Sequence, residues 1–235
     1  MTDSSALSSR LAKVRDDVAE AEMSSSRPMD DITLIVVTKF HPAELVRALY
    51  DLGVRDVGEN RHQEAADKAL ETADLDLTWH FIGQLQSNKA RAALEYADVI
   101  HSVDRESLVS ALDRAWIDRQ EHNPRSPIDS FIQLNLTDDP GRGGINPDEL
   151  EAFATRILET QSLNLQGVMA VAPLDEDPAR AFDRVALASE LVRRLKPAAR
   201  FISAGMSHDF REAIAIGATH LRIGTAITGN RPTAG

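Results

Sequence analysis

Eight short runs rich in Val, Ile, Leu or Phe recur along the chain, at 32–38, 55–58, 79–82, 98–102, 130–136, 166–171, 199–203 and 219–223. Each is followed by a polar or glycine-containing turn and then by a helical pattern. Runs of this kind suit strands buried on both faces, and their alternation with helices is the βα repeat that builds a parallel sheet. Eight such units in 235 residues match a closed (β/α)8 TIM barrel, whose usual size is about 250 residues. An open doubly wound sheet is the alternative. The G-x-G-x-x-G fingerprint that would favour it is missing after the first run, where Thr38-Lys39-Phe40-His41-Pro42 stands.

The helical period is clearest over 178–196, where Ala181, Val185, Ala188, Val192 and Leu195 repeat at spacings of four and three. Asp183, Arg184, Arg193 and Arg194 fall mostly on the other faces. A helix over about 4–24 precedes the first strand and is expected to cover the barrel bottom or the gap between the last helix and the first. Pro42, Pro147 and Pro178 stand near helix starts, where a missing N–H costs little. The whole chain, 1–235, reads as one domain with its barrel over about 30–231. The stretch 137–144 is the most loop-like and is expected to overhang the same face as Lys39.

A formal charge of -11, from 37 acidic and 26 basic residues, opposes binding to nucleic acid or an anionic membrane. An anionic ligand must then be held by a local site. There are no cysteines, so disulfides and thiolate chemistry are excluded. No segment reaches the roughly 18 apolar residues of a membrane span, and the first 27 residues lack a signal-peptide core; a cytoplasmic location is expected. The seven histidines show no metal-ligand spacing, so no metal site is expected. His80 and His101 read as core histidines that line the barrel.

In a barrel, side chains at the C-terminal strand ends converge on one mouth. Lys39 ends the first strand, and an amine in partly apolar surroundings becomes a nucleophile toward carbonyls, forming a Schiff base. The competing reading is a lysine whose stem lies on the core while its ammonium reaches water. Ser203-Ala204-Gly205-Met206-Ser207 and Gly224-Thr225 follow strands seven and eight, where barrels often hold phosphate. For Ser207 the alternative is an ordinary helix N-cap, with Asp209 in the first turn turned away from any phosphate. For Gly205 and Gly224 it is a tight turn. Arg222 faces opposite to Leu221 and Ile223, and is expected either to reach solvent or a carboxylate, or to point inward. Asn60 and Asn88 are candidate helix caps. Lys39 with hydroxyl and glycine residues at two strand ends is what capture of a phosphorylated aldehyde requires.

Val37-Thr38-Lys39, Gly58-Glu59-Asn60 with Gln63-Glu64, His80 to Lys89, Gly205 to Asp209, and Arg222-Ile223-Gly224 through Gly229-Asn230-Arg231 stand in collinear order. Together they resemble the YggS/PROSC family, the pyridoxal phosphate homeostasis proteins. The resemblance implies a barrel like the N-terminal domain of alanine racemase, the fold type III architecture, binding pyridoxal 5′-phosphate through an aldimine to Lys39. It further implies that Ser207, Gly224 and Thr225 hold the phosphate, that Arg222 meets the pyridine nitrogen and that Asn60 lies near the ring. Ser203 joins this cofactor-binding set. The chain departs from the family pattern at Phe40, Ala204 and Thr228, and in the loop after strand five at Asp138-Asp139-Pro140 and Arg142-Gly143-Gly144.

An arginine at the ring nitrogen disfavours the pyridinium and weakens the cofactor as an electron sink. Tyr50 and Tyr96 fall on outer helices, and no residues after 231 are expected to build a second domain carrying an opposing base. The expectation is therefore a carrier with no catalytic residues, which holds and supplies the cofactor, with apo pyridoxal-phosphate enzymes as recipients. The resemblance implies a monomer. The alternatives are a weak pyridoxal-phosphate-dependent amino-acid racemase and a cofactor-free Schiff-base aldolase, which would use Lys39 against sugar phosphates and be colourless.

Overall fold

The computed structural model describes residues 4–28, 31–139 and 141–230. Arg231 of the last motif and Pro140 of the loop after strand five lie outside the described residues. Eight strands, β1 (Thr33–Val37), β2 (Asp56–Glu59), β3 (Thr78–Phe81), β4 (Val99–Val103), β5 (Ile128–Gln133), β6 (Leu163–Met169), β7 (Phe201–Ser203) and β8 (His220–Ile223), pair in parallel in chain order. β8 returns onto β1 with Val36 beside Ile223, closing the barrel. The expected (β/α)8 architecture is the one found.

Two strands start two or more residues earlier than their hydropathy suggests. β5 begins at Ile128 rather than 130 and ends at Gln133, because beyond Leu134 the chain leaves the sheet; Leu134 makes only an isolated bridge to Ile145. β6 begins at Leu163 rather than 166. Its opening is masked by Asn164 and Gln166, whose amides both donate to Asp129 Oδ1 at 2.7 Å, so polar side chains sit in a strand because a carboxylate on the neighbouring strand satisfies them.

The connecting helices are α2 (Ala43–Asp51), α3 (His62–Glu71), α4 (Ala90–Ala93), α5 (Glu106–Gln120), α6 (Leu150–Leu158), α7 (Pro178–Leu195), α8 (Phe210–Ala215) and α9 (Thr225–Thr228), preceded by α1 (Ser4–Ser24). α7 follows the sequence closely: Asp177 accepts from Ala179 N at 3.0 Å, Pro178 opens the first turn, and Ala181, Val185, Ala188 and Val192 are buried. Leu195, expected on that apolar face, lies in the last turn and is exposed. α1 packs on α8 and α9, and Arg10 Nε donates to Ile227 O at 2.7 Å, so it fills the gap beside the last helix rather than the barrel bottom.

The main core lies between the strands and the helical ring, with Val36, Val57, Ile100, Ile132, Val168, Ile202 and Leu221 among its strand residues. Inside the barrel a smaller cluster of Val99, Phe131 and Met169 packs with Val171 and Phe201. No helix among the described residues is long and apolar enough to cross a membrane.

Candidate functional site

The sheet register brings four strand ends together. Val37 pairs with Gly58 on β2, Val36 with Ile223 on β8, and Ser203 of β7 with His220 of β8. Lys39, Asn60, Gly224-Thr225 and the turn containing Ser207 therefore emerge along one continuous half of the rim, at the C-terminal ends of β1, β2, β8 and β7. Lys39 is exposed there. The partly apolar surroundings expected for this amine are corrected in favour of the reading in which its ammonium reaches water: the apolar run stops at Thr38, and Lys39 extends from the rim.

Beneath it is a buried ion pair that the sequence did not disclose. Lys68 Nζ, from α3, donates to Glu59 Oε1 at 2.6 Å and to Thr38 O at 2.9 Å, and Thr38 Oγ1 donates to the same carboxylate oxygen at 2.7 Å. Burial pushes the Glu59 carboxyl above its usual range, and the contacts to Lys68 and Thr38 pull it back. The pair fixes the peptide that carries Lys39. Only the spacing of Lys68 nine residues after Glu59 could have hinted at it, and a lysine on a helix reads by default as solvated. On the far side of Lys39, Phe40 adopts φ 68° and donates its amide to Glu64 Oε2 at 3.0 Å. The residue that departs from the family pattern is thus held in the left-handed region by a motif carboxylate.

Asn60 does not cap α3, which starts at His62 after Arg61. Its Oδ1 is buried and has no hydrogen-bond partner among the described residues. The chain after β3 crosses closely above: a Cβ on Gly83 would lie 2.0 Å from Asn60 O, so glycine is required for that approach. Asn88 lies within a 3₁₀ turn, Ser87–Lys89, and caps nothing.

Ser207 is not a helix N-cap either. α8 begins three residues later, and 207–209 form a turn in which Asp209 Oδ1 accepts from Met206 N at 2.6 Å. Asp209 is turned back onto its own loop. The two glycines separate cleanly. Gly205 has φ 95°, and a Cβ there would meet Ala213 and Leu221 at 2.8 and 2.9 Å, so turn and packing demand it. Gly224 has φ -109°, and a Cβ would meet nothing closer than Val37 at 3.5 Å; protein packing does not require glycine there. Gly224 occupies the cap position of α9, whose first N–H groups have no partner in the preceding turn.

Arg222 points into the barrel and is buried. Its Nη1 donates to Ser203 O at 2.7 Å and to Ser203 Oγ at 2.6 Å, and its Nη2 donates to Ala170 O at 2.8 Å. Burial pulls its pKa down to about 10, which leaves it a cation at neutral pH. Ser203 is the residue that orients this guanidinium. These oxygens, rather than a carboxylate, take its hydrogen bonds, while Asp209 acts on it through space and raises its pKa against the effect of burial. Around them lie His80, His101 and His220, in a barrel interior that is polar through its middle. His80 and His101 are core histidines with partners, as expected, and no group of His, Asp and Glu among the described residues could hold a metal ion.

The loop after β5 is pinned by Asn135, whose side-chain amide donates to Asp139 O and Arg142 O. Gly144 N donates to Asp104 Oδ2 at 3.2 Å, and Gly143 packs against Gln84, so the loop lies over the ends of β3 and β4 on the Lys39 face. Tyr50 lies outside the barrel under the Arg55 guanidinium, and Tyr96 pairs with His62 Nδ1 at 3.3 Å.

An exposed amine, an orphaned buried acceptor, a cap glycine that packing does not explain and a fixed cation thus share one mouth. The residues fit a planar, anionic carbonyl compound. Residues 11–232 match the family described as alanine racemase, N-terminal domain. The pyridoxal phosphate homeostasis protein of Mycobacterium leprae is 39% identical over 232 residues, covering 93% of this chain and 90% of that protein. PipY of Synechococcus elongatus PCC7942, solved with pyridoxal phosphate bound, is 36% identical with a TM-score of 0.81, covering 95% of this chain and 100% of PipY. Alanine racemase from Corynebacterium glutamicum shares the fold alone, at 13% identity and a TM-score of 0.68 over 92% of this chain and 60% of the racemase.

Proposed function

The chain belongs to the alanine racemase N-terminal domain family, among its pyridoxal phosphate homeostasis proteins, and on that basis we propose that it binds pyridoxal 5′-phosphate covalently on Lys39 and buffers or supplies it. The observation that carries the reading is the placement of Lys39 at the end of β1, beside β8, whose Arg222 guanidinium is buried and hydrogen-bonded inside the barrel below that rim. When bound, the cofactor supplies an aldehyde carbon for the lysine and a ring able to take up electron density. Lys39 provides the attacking amine from a strand end fixed by Glu59 and Lys68. Arg222 would meet the ring nitrogen and Asn60 would lie near the ring, while Ser203 holds Arg222 in place. Ser207, Gly224 and Thr225 take the phosphate, with backbone N–H groups at the two turns as donors.

Arg222 also argues for a carrier over a racemase. A guanidinium held by three oxygens and still protonated at neutral pH keeps a facing pyridine nitrogen unprotonated, which weakens the ring as an electron sink. The only tyrosines of the sequence, Tyr50 and Tyr96, are engaged outside the barrel and offer no opposing acid or base.

Purified protein incubated with pyridoxal phosphate is expected to absorb in the visible, and borohydride reduction followed by digestion and mass spectrometry is expected to label Lys39. Lys39→Ala should abolish both signals. A label that persists on another lysine would overturn the assignment. Exchange of the α-proton of an amino acid at an enzymatic rate would favour the racemase.

A further inference from the structure

Behind Arg222 a file of buried polar groups runs down through the barrel. Ser203 Oγ lies 2.9 Å from His101 Nδ1, His101 Nε2 lies 2.9 Å from His80 Nδ1, and His80 Nε2 lies 2.9 Å from Asp56 Oδ1. Asp56 opens β2 at the opposite end of the barrel, where its side chain is 29% exposed. Both termini of the file dictate a direction. A guanidinium only donates, so Ser203 Oγ accepts from Arg222; a carboxylate only accepts, so His80 Nε2 must donate to Asp56. With one proton per ring, His80 Nδ1 then accepts from His101 Nε2, and His101 Nδ1 accepts from the Ser203 hydroxyl. Every donor points the same way, and none is left over.

We propose that Asp56, His80, His101 and Ser203 form a one-directional relay that positions the Arg222 guanidinium, with His101 as its central positioning residue. The relay rests on the cofactor reading for its purpose. It fixes which face of Arg222 remains for a ligand ring and ties the guanidinium to a carboxylate at the barrel floor, while Asp209, the carboxylate that acts on Arg222 through space, is held by Met206 N. A carboxylate directly against Arg222 would cancel the cation that the ring nitrogen meets. Ring stacking keeps the file in register: His101 lies on Phe131 with centroids 4.5 Å apart and planes 12° apart. Burial holds His101 well below its ordinary pKa, in keeping with a single proton on that ring.

The test begins without cofactor. In protein carrying ¹⁵N-histidine, long-range ¹H–¹⁵N correlation at neutral pH should show His80 and His101 each protonated on Nε2 alone. A proton on Nδ1 of either ring, or a doubly protonated His80, would overturn the relay. Asp56→Asn keeps the shape but removes the compulsory acceptor, and should mix the tautomers at both rings. His101→Phe keeps the stack on Phe131 and cuts the file. Both variants should still take the borohydride label on Lys39, yet release pyridoxal phosphate several-fold faster and with a displaced visible maximum. Wild-type release and spectrum in both would sink the proposal. A wild-type protein that takes no label would overturn the cofactor reading and the relay's bearing on it, while the tautomers would still decide the direction of the file.

Discussion

Lys39 illustrates how a residue can be named from sequence while its setting cannot. Its place at a strand end follows from the apolar run before it, but whether it is buried depends on the rim, and there it is exposed. What holds it is Lys68, a residue the sequence reading passed over. Removing one partner of a buried ion pair strands the other, at a cost of about 3–5 kcal/mol. Lys68→Met is therefore expected to lower the unfolding free energy by about that amount in urea titration, and adding Glu59→Gln should recover part of it. An unchanged midpoint would mean that Glu59 finds water instead. Gly83 has a narrower role. A methyl group there would displace the Asn60 backbone, so Gly83→Ala should speed pyridoxal phosphate release several-fold in a dilution assay while leaving the Lys39 adduct possible.

At the scale of elements, local rules were legible where the signal lies within one segment. The start of α7 was readable because proline and a periodic apolar stripe are contiguous in the chain. Asp177→Ala should destabilise by about 1 kcal/mol, read as a small fall in the thermal midpoint with no change in cofactor binding. The early start of β6 was not readable, since the amides of Asn164 and Gln166 are satisfied by Asp129, 35 and 37 residues away in sequence, and the Asn164 oxygen by Lys196. The turn at 207–209 defeated the N-cap reading for a related reason. Asp209 closes the turn onto Met206, and the helix starts later than its first polar residues suggest.

For the molecule as a whole, the polar barrel interior sets the pH behaviour. Burial is the main cause that brings His220 down to about 4 and His101 well below the ordinary 6.5. In the unfolded chain both rings bind protons as pH falls through about 6.5, whereas in the folded barrel His220 resists until about 4. The contribution of these two rings is thus flat above that upper value and declines through the window between the two, by roughly 1.4 kcal/mol per pH unit for each such group, while the raised Glu59 carboxyl acts in the opposite sense. Urea midpoints should fall steadily from pH 7 to 4.5, and a level profile would mean that these histidines protonate in place. Repetition of βα units determined eight parallel strands from sequence alone, because each unit carries its own apolar run and turn, and it favoured a closed barrel over an open doubly wound sheet; the pairing of β8 with β1 closed it. The sequence likewise determined which amine and which two glycine-bearing turns would share a rim. Which groups face each other across the barrel was decided only by tertiary structure. Arg222, Ser203, His101, His80 and Asp56 come from five different strands, and nothing but the curvature and register of the closed sheet brings them into one hydrogen-bonded file.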